Sequence, residues 1–194
     1  MRLVVATRND HKLRELGEIL SGFDLVLLPE NVDLPPEDGE TFAANALIKA
    51  RAARAATGAA ALADDSGISA SALGGRPGVR SARFAGEHAT DEQNLALLID
   101  EFRAQDDRRV AYICALAHVG EDGAETVVEG RCEGELISEP RGEGGFGYDP
   151  AFVPADTGPG DRRTMAELAP DEKHAISHRG RAARALARAL EAAP

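Results

Sequence analysis

Three lysines and nineteen arginines make up the strongly basic side chains of this 194-residue sequence, and each lysine stands among residues able to do chemistry. Lys12 closes the string Thr7-Arg8-Asn9-Asp10-His11-Lys12. Lys49 follows Asn45 by one helical turn, and Lys173 opens Lys173-His174-Ala175-Ile176-Ser177-His178-Arg179. A compact ammonium suits a tight phosphate site where a planar guanidinium fork does not. The first string sits where an apolar strand turns into a helix. Backbone N–H groups at a helix N-terminus, a hydroxyl, an amide and a lysine one turn in can cradle phosphate. The same string also reads as an ordinary capped helix with an exposed lysine, and the GxxxxGK[ST] spacing of a P-loop is absent.

Asp64 and Asp65 follow the apolar run Ala60–Ala63 and precede Ser66-Gly67. Adjacent carboxylates at a strand's end repel unless a cation or proton relieves them. A hard divalent ion held by oxygens would do so, with Glu37 of the acidic loop as a further ligand. The alternative is a solvated turn. His174 and His178 have i,i+4 spacing but lack a glutamate after the first and a third ligand. Mg²⁺, or Mn²⁺ in its place, is therefore favoured over zinc.

The third cluster is Gly145-Phe146-Gly147-Tyr148-Asp149-Pro150, in a chain with six Phe, two Tyr and no Trp. Glycines beside Phe146 let backbone approach a flat ligand, on which the ring can stack. These aromatics can equally be core residues beneath a loop.

Elements must bring these residues together. Leu3–Ala6 reads as a buried strand, with a helix opening at Asn9 or Asp10, and Phe23–Leu28 as a second strand. Thr41–Ala56 is the strongest helix by propensity, and Ala60–Ala63 is a strand ending at the aspartates. Thr90 caps a helix carrying Leu95, Leu98, Ile99 and Phe102. Arg109–Val119 is apolar on both faces and expected to be central. Glu125–Ile137 alternates and is expected to be half-exposed, forming a hairpin with its predecessor. A short strand follows near Ala151–Val153. Ser177 is expected to cap a closing helix from Arg179 to Ala192. This mixture predicts an α/β chain with a mixed sheet.

With 43% hydrophobic residues the chain can fill one well-packed domain, residues 1–194. A net charge of −11 argues against a nucleic-acid polymer as partner, though not against a small anion held by local cations. Cys114 and Cys132 give neither a disulfide framework nor a metal knuckle and read as buried thiols of a reducing compartment. The apolar start is too short for a signal peptide and no stretch is of membrane length, so a soluble cytoplasmic protein is expected.

In order and spacing, the motifs Thr7-x-Asn9-x-x-Lys12, Asn45-x-x-x-Lys49, Asp64-Asp65-Ser66-Gly67, Gly74-Gly75-x-Pro77-Gly78, Gly145–Pro150 and Ser177-His178-Arg179 resemble the inosine/xanthosine triphosphate pyrophosphatases. These are hydrolases of deaminated purine nucleoside triphosphates. The resemblance covers nearly the whole chain. It implies an elongated single α/β domain of two lobes around a mixed sheet, with the active-site cleft between the lobes and a homodimeric assembly. It assigns Thr7, Arg8, Asn9, Asp10, His11 and Lys12 to a triphosphate-binding turn, and Asn45 and Lys49 to a second phosphate-contacting helix. Asp65 becomes the catalytic proton acceptor and a Mg²⁺ ligand and Ser66 a substrate contact, with Glu37, or Asp38 or Glu40 of the same loop, as a further ligand; Asp64 is a candidate ligand from its place beside Asp65. Phe146, Gly147, Tyr148, Asp149, Lys173, His178 and Arg179 become nucleobase and substrate contacts. The implied reaction is Mg²⁺-dependent hydrolysis of ITP, dITP and XTP to monophosphate and pyrophosphate. The nearest alternative is a Maf-type pyrophosphatase acting on modified pyrimidine nucleotides or dTTP. A protein that binds nucleotide without cleaving it is a further one.

Overall fold

The computed structural model of the chain describes residues 1–192. Strand β1 (Arg2–Val5) pairs in parallel with β2 (Asp24–Leu27), Arg2 opposite Asp24 and Val5 opposite Leu27. On its other edge β1 pairs in parallel with β3 (Ala61–Ala70), Val5 opposite Leu62. The sheet continues through β4 (Arg109–Val119) and β5 (Glu125–Leu136) to β6 (Phe152–Pro154), which is antiparallel to β5. Its order is β2-β1-β3-β4-β5-β6. The sheet is therefore mixed, as expected, and β4 lies inside it. On β5 the odd-numbered positions from Glu125 to Glu135 face solvent, as the alternation predicted.

Helix α1 (Asp10–Ile19) carries the chain from β1 to β2, and α2 (Phe42–Thr57) carries it from β2 to β3. Leaving β1 the chain thus moves to one neighbour, and it returns to β1's other side. In an open α/β sheet such a reversal opens a crevice at the carboxyl ends of the strands involved. Helix α3 (Asp91–Glu101) precedes β4, and α4 (Pro170–Ile176) and α5 (His178–Glu191) close the chain. The sequence pattern did not show α4, a helix of seven residues started by proline, too short for a periodicity to register.

The chain divides into two units. The first comprises Met1–Asp65, Cys114–Gly130 and the segment from His178. Its core joins Leu3 and Val5 of β1, Leu16 of α1, Leu62 of β3, Cys114 and Leu116 of β4, and Ala182, Ala183 and Leu186 of α5. Burying each such leucine contributes roughly 1.5–3 kcal/mol. Gly130 of β5 has a packing role here, because a methyl group in its place would overlap the His178 carbonyl and the Ala182 amide. Glycine lets the start of α5 lie directly on the strand. The second unit comprises Ser66–Ile113 and Arg131–Ser177. Its core joins Ile68, Leu98, Phe102, Val110, Tyr112, Leu136, Tyr148, Phe152 and Met165. Both cysteines are buried thiols.

His118, near the end of β4, is buried with Nε2 lacking a hydrogen-bond partner. Burial lowers its pKa, and Asp122 only partly offsets this. The unfolded chain therefore takes up this proton first as pH falls. The stability linked to His118 is full above about pH 6.5 and is lost as pH falls from there through the folded-state value. His118→Gln is expected to flatten the decline in unfolding free energy between pH 7.5 and 5.5, by at most about 1.4 kcal/mol per pH unit. Denaturant titrations across that range check it; equal slopes in variant and parent contradict it.

Candidate functional site

The first unit gathers its polar residues where β1 ends beside β3. Ala6 donates to the Leu62 carbonyl at 2.7 Å, so Thr7–Asn9 leave the sheet next to Asp64 and Asp65, which stay on β3. Asn9 caps α1, its side chain accepting from the Lys12 amide at 3.1 Å, and Thr7 Oγ accepts from the Asn9 amide at 3.2 Å. Asp10 and His11 are exposed in the first turn. Arg8 is directed elsewhere than the resemblance implies. Its guanidinium donates to the carbonyls of Leu28 at 3.0 Å and of Pro29 and Val32 at 2.9 Å, so it braces the acidic loop.

Strand β3 does not stop at Ala63 but continues through both aspartates to Ala70. Successive side chains of a strand point to opposite faces, so the two carboxylates do not crowd one another. This corrects the expectation that the two repel as an adjacent pair at a strand's end. Asp64, 1% exposed, faces Lys12 Nζ at 3.0 Å and Arg179 Nη2 at 3.6 Å. Burial pushes its pKa up, but Lys12, Arg179 and Lys49 outweigh that and hold it well below the usual carboxylate range. Asp64 thus has its own cations. Arg179, also 1% exposed, is bonded on its other side to Glu15 of α1. Lys12 and Glu15 lie one turn apart on that helix, so a chain of alternating charges runs Glu15–Arg179–Asp64–Lys12. Cys114 lies near this chain, and burial pushes its thiol up to about 12, leaving it inert.

Asp65 faces a different set. Asn45 Nδ2 donates to its Oδ2 at 2.9 Å, while Asn45 Oδ1 accepts from the Gly39 amide at 2.8 Å. One amide side chain thereby ties the acidic loop to the carboxylate. Lys49 is ion-paired with Glu37. Its pKa is lowered by burial but raised more by Asp64, Glu37 and Asp65, so the ammonium stays charged at 6% exposure. For Asp65 burial is the largest influence and Glu37 adds to it, so its pKa is raised despite Lys49 and Asn45. Among the described residues no three His, Cys, Asp or Glu side chains gather as a metal cluster. The pair Asp65 and Glu37 nonetheless fits a hard cation, being two oxygen donors whose mutual repulsion is not fully offset.

The second unit holds the remaining predicted residues, except His178, which is buried as the first residue of α5 in the first unit. Ser66 is half-buried on β3. Asp149 Oδ2 accepts from the Phe146 amide at 3.0 Å and from Lys173 Nζ at 2.9 Å. Gly145 has φ +71°, and a methyl group there would overlap the Asp149 carboxylate. The Lys173 ammonium also lies 5.2 Å from the centre of the Phe146 ring, a cation–π distance. Tyr148 and Phe152 are core residues. Of the local aromatics Phe146 alone is merely half-buried. Lys173 sits on α4 rather than in a loop.

Sequence reasoning missed Glu15, Tyr112 and Asp91. Glu15 had a usable signal, its i+3 spacing from Lys12 on a helix. Tyr112, whose pKa is raised by burial and then by Asp149, lies within an apolar strand that hides it.

The profile of the Ham1 family matches residues 3–189. The chain belongs to the Ham1 family. A dITP/XTP pyrophosphatase of Cutibacterium acnes is 52% identical over 199 residues, covering 98% of this chain and 97% of that protein. One from Mycobacterium tuberculosis strain H37Rv is 50% identical, covering 97% and 95%. The solved Ham1 protein of Coxiella burnetii superposes with a TM-score of 0.87 at 42% identity over 100% of both chains. That of Staphylococcus aureus gives 0.87 at 36% identity over 98% of each. The α/β mixed-sheet fold and the family expected from the motifs are both borne out by these Ham1 relatives.

Proposed function

We propose that this chain hydrolyses deaminated purine nucleoside triphosphates (ITP, dITP and XTP) to the monophosphate and pyrophosphate, removing them from the nucleotide pool. The observation that carries this reading is the convergence of Lys12, Lys49, Asn45 and Asp65 where β1 ends beside β3 and the first half of α2 faces them. Such a group has the cations for a polyphosphate and a raised-pKa carboxylate for water. The curated relatives named dITP/XTP pyrophosphatase favour it over the Maf-type alternative.

Lys12, Lys49 and the amides at the start of α1 hold the phosphates. Asp65, steadied by Asn45, orients a water and accepts its proton as the water oxygen bonds to the α-phosphorus. The bond from that phosphorus to the α–β bridging oxygen breaks, and pyrophosphate leaves with the electron pair. Asp65 and Glu37 would hold Mg²⁺, which when bound supplies positive charge against the polyphosphate. Asp64 is turned to Lys12 and Arg179 through its Oδ2. Arg8 braces the loop that carries Glu37.

In the second unit, Phe146 stacks on the base, and the Lys173 ammonium, with hydrogens beyond the one given to Asp149, offers donors to an acceptor at position 6. A 6-oxo group satisfies these donors, whereas the 6-amino group of adenine sets donor against donor and leaves buried groups unpaired. The reading takes the chain as one functional domain acting as a cytoplasmic homodimer, as the resemblance implies. Among the described residues no helix is long and apolar enough to cross a membrane.

The test is chromatography of products from ITP, XTP, GTP, ATP and dTTP with Mg²⁺. ITP and XTP are expected to react fastest, giving IMP or XMP and pyrophosphate in equal amounts. IDP with orthophosphate would place attack at the wrong phosphorus, and preference for dTTP would restore the Maf-type alternative.

A further inference from the structure

The loop Gly145–Asp149 lacks regular structure before its single turn at Asp149–Ala151, so something outside it must fix its shape. Three contacts do so, all within the second unit. Lys173 of α4 donates to Asp149, which in turn accepts from the Phe146 amide. The Tyr148 hydroxyl donates to the Ser81 carbonyl at 2.7 Å. The third comes from a residue that no motif contains: Asp91 Oδ2 accepts from the Gly147 amide at 2.9 Å.

Asp91 is well placed to be a fixed point. It is the first residue of α3, whose N-terminus is locked by a reciprocal cap, Gln93 amide to Thr90 Oγ at 3.3 Å and Thr90 amide to Gln93 Oε1 at 2.9 Å. Asn94, buried in the next turn, accepts from the Ala85 amide at 2.8 Å and donates to the Ala82 carbonyl at 3.1 Å. The same segment is tied to β3 by Ser81, whose Oγ accepts from the Ile68 amide at 2.9 Å and donates to the Gly78 carbonyl at 2.6 Å. The start of α3 and the turn at Gly78–Arg83 therefore form one braced platform. Asp91 and Ser81 reach from it to consecutive residues of the loop.

We infer that Asp91 is a specificity-determining positioning residue, holding the Gly147 amide so that Phe146, and the Lys173 donors over its ring, stay fixed toward the base. This rests on the proposed hydrolase reading, in which that loop meets the purine. Discrimination by unpaired donors works only if the donors cannot turn away. Without Asp91 the loop relaxes, the 6-oxo base loses oriented partners, and the 6-amino base is no longer penalised. Phosphorus chemistry, carried by residues of the first unit, is left in place.

The test compares Asp91→Ala with Asp91→Asn. Both remove the charge from the first turn of α3, and only asparagine keeps an acceptor for the Gly147 amide. Asp91→Ala is expected to lower the ratio of kcat/KM for ITP over ATP about tenfold, the value of one charge-assisted hydrogen bond. The change should fall mainly in KM for ITP, with kcat within about threefold. Amide exchange at Gly147, followed by NMR without nucleotide, should quicken in the alanine variant. Asp91→Asn should restore both readouts most of the way. A ratio held within twofold in Asp91→Ala, or equal losses in both variants, overturns the inference. A parent enzyme inert toward ITP overturns the functional reading and this one with it, whereas an active parent with an unaltered alanine variant overturns this one alone.

Discussion

Asp65→Asn is expected to lower kcat for ITP by at least about 10³-fold while changing nucleotide affinity only a few-fold. General-base catalysis and the ordering of the attacking water contribute factors of this size. The substitution removes basicity and leaves the surroundings nearly intact, because an asparagine oxygen can still accept from Asn45 Nδ2 at the 2.9 Å position. Lys49 keeps its ion pair with Glu37, so the phosphate-binding charge stays. Single-turnover kinetics measure the loss, and calorimetry with a non-hydrolysable triphosphate analogue measures the affinity. A variant that turns over at a tenth of the parent rate or better would remove Asp65 from the proton-accepting role.

Much of this arrangement can be read from the chain because it is local. Asn9 three residues before Lys12 predicts the cap that the structure contains. Thr41, Thr90 and the alternation of Glu125–Leu136 predict the observed elements within a residue or two. Asn45 and Lys49, one turn apart, share a face of α2, and that face meets Asp65 and Glu37. What the sequence hides depends on contacts between distant residues. Asp64 and Asp65 look like a pair in one dimension. Only their alternation on β3 shows that one serves Lys12 and Arg179 while the other serves Asn45 and Lys49. Arg8 looks like part of a phosphate turn because its neighbours are, yet its side chain extends to carbonyls about twenty residues away. Asp91 carries no signal beyond that of a helix start, since its partner is a backbone amide in another loop.

The alternation of Asp64 and Asp65 explains how two carboxylates can be neighbours on one strand in a chain of net charge −11. Lys12 and Arg179 face Asp64 while Asp65 takes a hydrogen bond from Asn45, and burial lowers the effective dielectric, so these contacts are stronger than they would be at the surface. The two end in opposite states. Asp64 is held well below the ordinary range and is permanently ionised, whereas the Asp65 pKa is raised. A permanently ionised carboxylate fixes the positions of Lys12 and Arg179. A carboxylate with a raised pKa is the better proton acceptor.

That division of labour predicts a large stability effect at Arg179. Arg179→Met keeps the aliphatic stem but removes the charge that joins Glu15 to Asp64. Breaking a buried ion pair by deleting one partner costs about 3–5 kcal/mol, because the other charge is left buried without its counterion. Lys12 still faces Asp64 at 3.0 Å, so the lower end of that range, about 3 kcal/mol, is expected. Glu15 is the other half of the ion pair that Arg179→Met breaks. Neutralising it together with Arg179 should therefore recover part of the loss. In a double-mutant cycle, Glu15→Gln with Arg179→Met is expected to be less destabilised than the sum of the single variants by about 1–3 kcal/mol. Urea unfolding of the four proteins at pH 7.5 gives the coupling. If the single effects add to within about 0.5 kcal/mol, Glu15 and Arg179 act independently. The alternating chain Glu15–Arg179–Asp64–Lys12 would then not be the unit that holds α1 and α5 beside β1 and β3.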